Sequence, residues 1–133
     1  MSTPSPPSTG NYDHGVIGNG RSAALIEPDG TIVFACLPDF DSGTVFASIL
    51  DPEKGGSFGI EMVDGEAVSQ EYERHTNILV TRFEGAGGTF NLIDFMPRYT
   101  WDGKAGSEGD ASSDLVRVLE PTSGNPQIRV HYN

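Results

Sequence analysis

The sequence predicts an all-β protein, an antiparallel β-sandwich, on three observations. Short runs rich in β-branched and aromatic residues recur at intervals of roughly eight to twelve residues between turn signals. Two of those turns, Asp29-Gly30 and Gly85-Ala86-Gly87-Gly88, lie between apolar arms as hairpin loops do. No window holds helical apolar spacing for more than about two turns. The 17 Gly and 9 Pro favour turns over long helices.

In chain order, residues 1–11 are rich in Pro, Ser and Thr and read as a disordered tail, with residues 12–133 forming the domain. The opening MSTPSPPSTG has neither a basic start nor an apolar run, so it is not a signal peptide and the predicted compartment is the cytoplasm. Tyr12 to Ile17 is the first strand, and Asn19-Gly20 is a tight turn. Ala23 to Glu27 and Thr31 to Leu37 are the arms of the first hairpin.

The second arm is apolar from Ile32 to Leu37 without a break, which predicts cover on both faces. Pro38 ends it by removing a ladder donor. Asp41-Ser42 can cap a brief helical turn near 44–50, where Val45, Phe46 and Ile49 share a face.

Phe58, Ile60 and Met62 alternate on a half-buried strand, and Asp64-Gly65 turns it into a weaker one ending at Tyr72. Asn77 to Glu84 and Thr89 to Met96 are the arms of the second hairpin, stopped by Pro97. Residues 100–113 read as a polar loop. Asp114 to Glu120 is a strand, with a turn after it from Pro121 to Pro126. In the last strand Ile128, Val130 and Tyr132 face inward. That strand meets the end of the chain at Asn133, which suggests an unpaired edge and a homodimer by strand addition.

The charge balance narrows the function. Nineteen acidic residues against two Lys and six Arg give a net charge of −11, which repels nucleic acid and anionic membrane surfaces. A neutral sugar is not excluded. The single cysteine, Cys36, reads as a small buried hydrophobe. His14, His75 and His131 show no metal-ligand spacing, so no metal and no cofactor is predicted. Gly18-Asn19-Gly20-Arg21-Ser22-Ala23 fits a loose dinucleotide fingerprint, but Pro28-Asp29-Gly30 would halt the required helix within two turns.

The loop Pro38, Asp39, Phe40, Asp41 and Ser42 leaves a sheet end with two carboxylates and a ring, a common setting for binding groups. It can equally be a cap with a packed phenylalanine. Asp39 and Asp41 would approach a glycosidic bond from one side, so they do not form the opposed pair of an inverting hydrolase. No catalytic residue is assigned. Asp94 is expected to be a half-buried acid paired with an arginine or a backbone N–H.

Several stretches taken together resemble a known domain. They are Ile17-Gly18-Asn19-Gly20-Arg21-Ser22-Ala23-Ala24-Leu25, Asp29-Gly30-Thr31-Ile32, Cys36-Leu37-Pro38-Asp39-Phe40-Asp41-Ser42 and Val45-Phe46-Ala47. Asn77-Ile78-Leu79, Asp94-Phe95-Met96-Pro97, Asp114-Leu115-Val116-Arg117-Val118 and Ile128-Arg129-Val130 come after them in order. The domain is the trehalase-like N-terminal domain of family 15 glycoside hydrolases, bacterial and archaeal relatives of glucoamylase.

The resemblance implies a non-catalytic β-supersandwich, of which this chain is the first part. Its partner would be a C-terminal (α/α)6 barrel whose two glutamates hydrolyse α-glucosidic bonds of glucans or trehalose with inversion. It places residues 38–42 near the barrel interface and the rim of its substrate pocket. Members commonly carry Asp-Trp at Val33-Phe34, Arg at Asp39 and Pro at Gly43, so no sugar contact is carried over to Asp39.

Two other readings stand beside it. Exposed rings at Phe40, Tyr99 and Trp101 would suit a free-standing carbohydrate-binding sandwich. The open last strand would suit a dimerisation module.

Overall fold

Gly30 takes a φ of +89°, which admits the tight turn between the first two long arms at no steric cost. The Gly30 N–H donates to the Glu27 carbonyl at 2.8 Å, and Glu27 N–H donates to the Thr31 carbonyl at 2.8 Å. The computed structural model describes residues 14–98 and 113–133. Among these residues there are ten strands and no helix. They are β1 (Gly15–Gly18), β2 (Ala23–Ile26), β3 (Ile32–Cys36), β4 (Thr44–Phe46) and β5 (Phe58–Met62). After them come β6 (Gly65–Tyr72), β7 (Leu79–Gly85), β8 (Gly88–Phe95), β9 (Val116–Gly124) and β10 (Ile128–Tyr132).

One sheet runs β1-β2-β3-β5-β10, with β4 also paired to β3, and the other runs β6-β7-β8-β9. All pairings are antiparallel. The all-β sandwich and both predicted hairpins are therefore present. The predicted tail and the 100–113 loop lie almost wholly outside the described residues, as do Tyr99 and Trp101.

The two sheets meet over two apolar clusters. Ile17, Ala24, Ile26, Ile32, Ala35 and Phe46 pack against Leu79 and Met96. Ile60 and Met62 pack against Phe83, Phe90 and Leu92, and Phe58 touches both clusters. Phe83 and Phe90 stack with ring centroids 4.5 Å apart and planes 5° from parallel. Each ring so buried contributes about 1.5–3 kcal/mol by leaving water.

A polar bolt crosses the layers beside this core. Arg117 on β9 donates from Nε to Asp94 Oδ1 at 2.7 Å and from Nη2 to Asp94 Oδ2 at 3.2 Å. Its Nη1 donates to the Phe58 carbonyl at 2.8 Å, Nη2 also reaches the Gly30 carbonyl, and the guanidinium lies 4.8 Å from the Phe58 ring centroid. Both side chains are buried, 4% exposed for Arg117 and 0% for Asp94. Asp94 thus has the arginine partner expected of it, though it is fully buried. Burial pushes its carboxyl above the ordinary value, against the hydrogen bond and charge of Arg117.

At the other flank Tyr72 closes an edge. Its hydroxyl accepts from Val16 N–H at 2.8 Å and donates to the Val16 carbonyl at 3.0 Å. Both backbone groups that β1 turns away from β2 at this residue are thereby engaged. Gln70 adds a second tie, donating to the Glu27 carbonyl and to Thr81 Oγ1, each at 3.0 Å.

Four local expectations change. Residues 44–46 are strand β4, not the start of a helical turn, because β3 offers a ladder to Thr44 and Phe46. Only the turn after β4 coils, with Leu50 and Asp51 N–H both donating to the Ala47 carbonyl. Ser42 caps nothing downstream; its Oγ accepts from Asp39 N–H at 3.1 Å within its own loop. Strand β9 runs on through Pro121 to Gly124, which an edge strand tolerates because the missing N–H faces no neighbour.

Lastly, Ile128, Val130 and Tyr132 oppose Met62, Ile60 and Phe58, so they do point to the inner face. Yet they remain 36%, 54% and 67% exposed, since β10 is the last strand of its sheet. As for β3, all its residues but Phe34 are buried, and the turn after β4 folds back on it, Ile49 N–H donating to the Val33 carbonyl at 3.2 Å.

Candidate functional site

Asn19 organises the β1–β2 turn through its side chain. Its Oδ1 accepts from the N–H of Arg21 and of Ser22, each at 2.9 Å, an Asx-type arrangement that leaves Gly20 at a φ of +87°. This is the turn expected of Asn19-Gly20, and it leads into strand β2 instead of a nucleotide-binding helix. Asn19 Nδ2 also donates to Ser113 Oγ at 3.0 Å.

The turn braces the loop that leaves β3. Ser22 Oγ donates to the Cys36 carbonyl, and Phe40 N–H donates to the Arg21 carbonyl at 2.9 Å. Arg21 Nε meets Asp39 Oδ1 at 2.9 Å. Within the loop Ser42 N–H donates to the Asp39 carbonyl at 3.0 Å, and the Leu37–Pro38 peptide is cis. Asp39 is thus a brace, its charge engaged by Arg21. Pro38 and Asp41 are exposed and Ser42 is half-buried. Phe40 is held out into solvent, 64% exposed, by a loop pinned on both sides.

Phe40 forms one wall of a groove of about 900 Å³, and it alone of the five loop residues lines it. The opposite wall is the β6–β7 turn, Tyr72 to Ile78, and the end is the chain leaving β8, Phe95 to Arg98. That turn is closed by Glu73 N–H donating to the Ile78 carbonyl at 2.8 Å and by Thr76 Oγ1 donating to the Glu73 carbonyl at 2.7 Å. His75 occupies the left-handed region at φ +61°, uncommon for a side-chain-bearing residue, and Arg74 Nε donates to its Nε2 at 3.3 Å.

Sequence reasoning passed over Arg74, Asn77 and Arg98 and weighed His75 only as a metal ligand. The polar run Glu73-Arg74-His75-Thr76-Asn77 between two strands was the available signal.

Two arginines, a histidine, two amides and three aromatic residues make the groove suited to a neutral polar ligand or to the surface of another domain. Among the described residues that line it, Glu73 is the one carboxylate. The opposed acid–base pair that glycoside hydrolysis requires is not formed by those residues. Among the described residues no group of three His, Cys, Asp or Glu is placed to hold a metal ion. Nor is any helix there long and apolar enough to cross a membrane.

Known proteins share this sequence along most of its length. The family described as "Trehalase-like, N-terminal" matches residues 9–133. A trehalase of Thermoplasma volcanium is 48% identical over 87 residues, 63% of this chain and 14% of that protein. Trehalase 1 of Sulfolobus acidocaldarius is 40% identical over 84 residues, 62% of this chain and 14% of the relative. A trehalase of Mycobacterium tuberculosis is 24% identical over 127 residues, covering 87% of this chain and 18% of its own length. The chain therefore spans about one-seventh of the archaeal relatives it matches. No solved structure matches it.

Proposed function

Since the chain belongs to the trehalase-like N-terminal family, we propose that it is the non-catalytic N-terminal β-domain of a family 15 glycoside hydrolase. The parent enzyme would hydrolyse α-glucosidic bonds, of trehalose or glucans, with inversion, in a C-terminal (α/α)6 barrel. The domain is residues 12–133, preceded by a tail, and its compartment is the cytoplasm. Pro38, Asp39, Phe40, Asp41 and Ser42 contribute to the barrel interface and the rim of the substrate pocket. Through that rim the domain meets the α-glucoside held in the barrel.

The observation that carries this reading is the family match along nearly the whole chain, joined to the small share of each relative it spans. Supporting it, an exposed Phe40 on a braced loop is what a docking surface needs. The inward but uncovered row on β10 agrees with a sandwich that carries further strands in the parent.

Two assays test this. The chain incubated with trehalose, maltose and starch releases no glucose above blank; release would overturn the non-catalytic role. Substituting this chain for the segment it matches in the Thermoplasma volcanium trehalase yields an active chimera, and Phe40→Ala in that chimera lowers kcat/KM. An unchanged kcat/KM would remove residue 40 from the interface and rim.

A second reading, a homodimer through β10, is favoured by that strand's five exposed residues and by its having only β5 as a partner strand among the described residues. Light scattering across a wide concentration range separates the two: monomer throughout leaves only the first.

A further inference from the structure

The outer face of the four-stranded sheet carries a second cleft, which meets the first groove at Tyr72 and Glu73 and includes none of the residues 38–42. Strand registers fix its pattern. One cross-strand row reads Glu71, Val80, Ile93, Val118, and the adjacent row reads Ser69, Arg82, Asn91, Glu120. An apolar stripe of three β-branched side chains thus lies beside a stripe of hydrogen-bonding groups. The face is not flat: a depression of about 470 Å³ opens over both rows, lined by Val80, Ile93, Arg82, Asn91 and Glu120 among others.

The polar row is partly set in place. Asn91 Nδ2 donates to Glu120 Oε1 at 3.2 Å, and Arg82 Nε donates to Glu84 Oε2 at 2.9 Å. These bonds leave much capacity unused. Arg82 keeps four N–H donors beyond Nε, Asn91 keeps its carbonyl oxygen and Glu120 its second carboxylate oxygen. Donors and acceptors therefore stand side by side along one line, and Glu71 and Glu73 add two further carboxylates to the lining.

We propose that this cleft binds a neutral pyranose of an oligosaccharide, separately from any catalytic pocket. A pyranose has two unlike surfaces, a C–H face and a rim of hydroxyls that each donate and accept. Val80 and Ile93 supply a floor for the C–H face, while Arg82, Asn91 and Glu120 meet adjacent hydroxyls on the rim. An anionic ligand is disfavoured, because Glu71, Glu73 and Glu120 line the cleft against Arg82, itself paired with Glu84. The site is shallow and its one ring, Tyr72, is tied by its hydroxyl to Val16, so the binding is weak and serves to hold a polymeric or concentrated sugar near the domain.

The test is an amide-resolved NMR titration of the whole 133-residue chain with maltotriose and, separately, with trehalose. Shifts centred on Val80, Arg82, Asn91, Ile93 and Glu120 support the proposal. Asn91→Ala and Glu120→Gln are each expected to weaken the measured affinity about tenfold, the equivalent of one good hydrogen bond. Both side chains lie on the outer face, so an unchanged spectrum elsewhere certifies the fold. Val80→Glu provides an independent variant that removes the floor and keeps the polar row. Phe40→Ala serves as the control and leaves these shifts in place. Absence of any sugar-dependent shift, or shifts confined to Phe40 and residues 74–78, would overturn the proposal.

Discussion

Arg117 and Asp94 form an ion pair closed to water, and the same guanidinium holds carbonyls at Phe58 and Gly30 of the facing sheet. One arginine therefore couples strand β8 within its own sheet and two backbone positions across the core. Removing one member of such a pair leaves a buried charge without compensation, which costs far more than the pair contributes when whole.

Arg117→Met is accordingly expected to destabilise the protein by about 3–5 kcal/mol near neutral pH, measured by urea unfolding. Asp94 sets the sign of the pH dependence. Its carboxyl is already raised by burial, and loss of Arg117 takes away both influences that lower it. The folded form then holds its proton to higher pH than the unfolded chain does. The stability this gives is full below the ordinary carboxylate value and is lost as pH rises through the folded value. The defect of Arg117→Met should therefore be smallest in acid and grow towards neutrality. A pH-independent defect would contradict this account. Replacing both partners, Arg117→Met with Asp94→Leu, should recover a large part of the loss.

Gly30→Ala meets two obstacles. The residue sits at φ +89°, and an added Cβ would lie 3.0 Å from Leu92 Cδ2 and 3.4 Å from Phe83 Cζ. Left-handed strain and overpacking together predict a loss of about 2–4 kcal/mol. Chemical denaturation reads it, and a loss under about 1 kcal/mol would mean the hairpin relaxes freely.

Tyr72→Phe deletes both bonds to Val16. About 1 kcal/mol of stability should go, moderated because water can reach the site. Amide hydrogen exchange at Val16 is the sharper readout and should accelerate. Unchanged exchange would show that another group engages that N–H.

Phe40→Ala should change unfolding free energy by no more than about 0.5 kcal/mol, since the ring is mostly in solvent. A larger loss would show that the ring packs within the domain. The substitution thus separates stability from docking.

The two hairpins were legible because their turns state their own requirement: Asp29-Gly30 needs a positive φ and the run from Gly85 to Gly88 is too small to be anything but a turn. Asp94 was legible as well, since an acid inside an apolar strand must find a partner. Other features depend on neighbours that local pattern does not name. Val45, Phe46 and Ile49 fit a helical turn equally well, and only the free edge of β3 decides for a strand. The pattern from Ala67 to Tyr72 looked weak because the register slips between Ala67 and Ser69, leaving Val68 47% exposed.

Of the candidate site, the loop at 38–42 was read as a unit. The structure divides it into a brace at Asp39 and a displayed ring at Phe40. The facing turn at 73–78 could not be inferred, because it reaches the loop through sheet packing across the intervening residues 43–72.

Tyr72 has a consequence for assembly. With its hydroxyl seated on Val16, the six-stranded sheet resembles, among the described residues, a growing polymer with one terminus blocked and the other live. Two molecules joining live end to live end, β10 to β10, would use up both at once. Such a union ends in a closed pair with two-fold symmetry and cannot propagate into a fibre through this sheet.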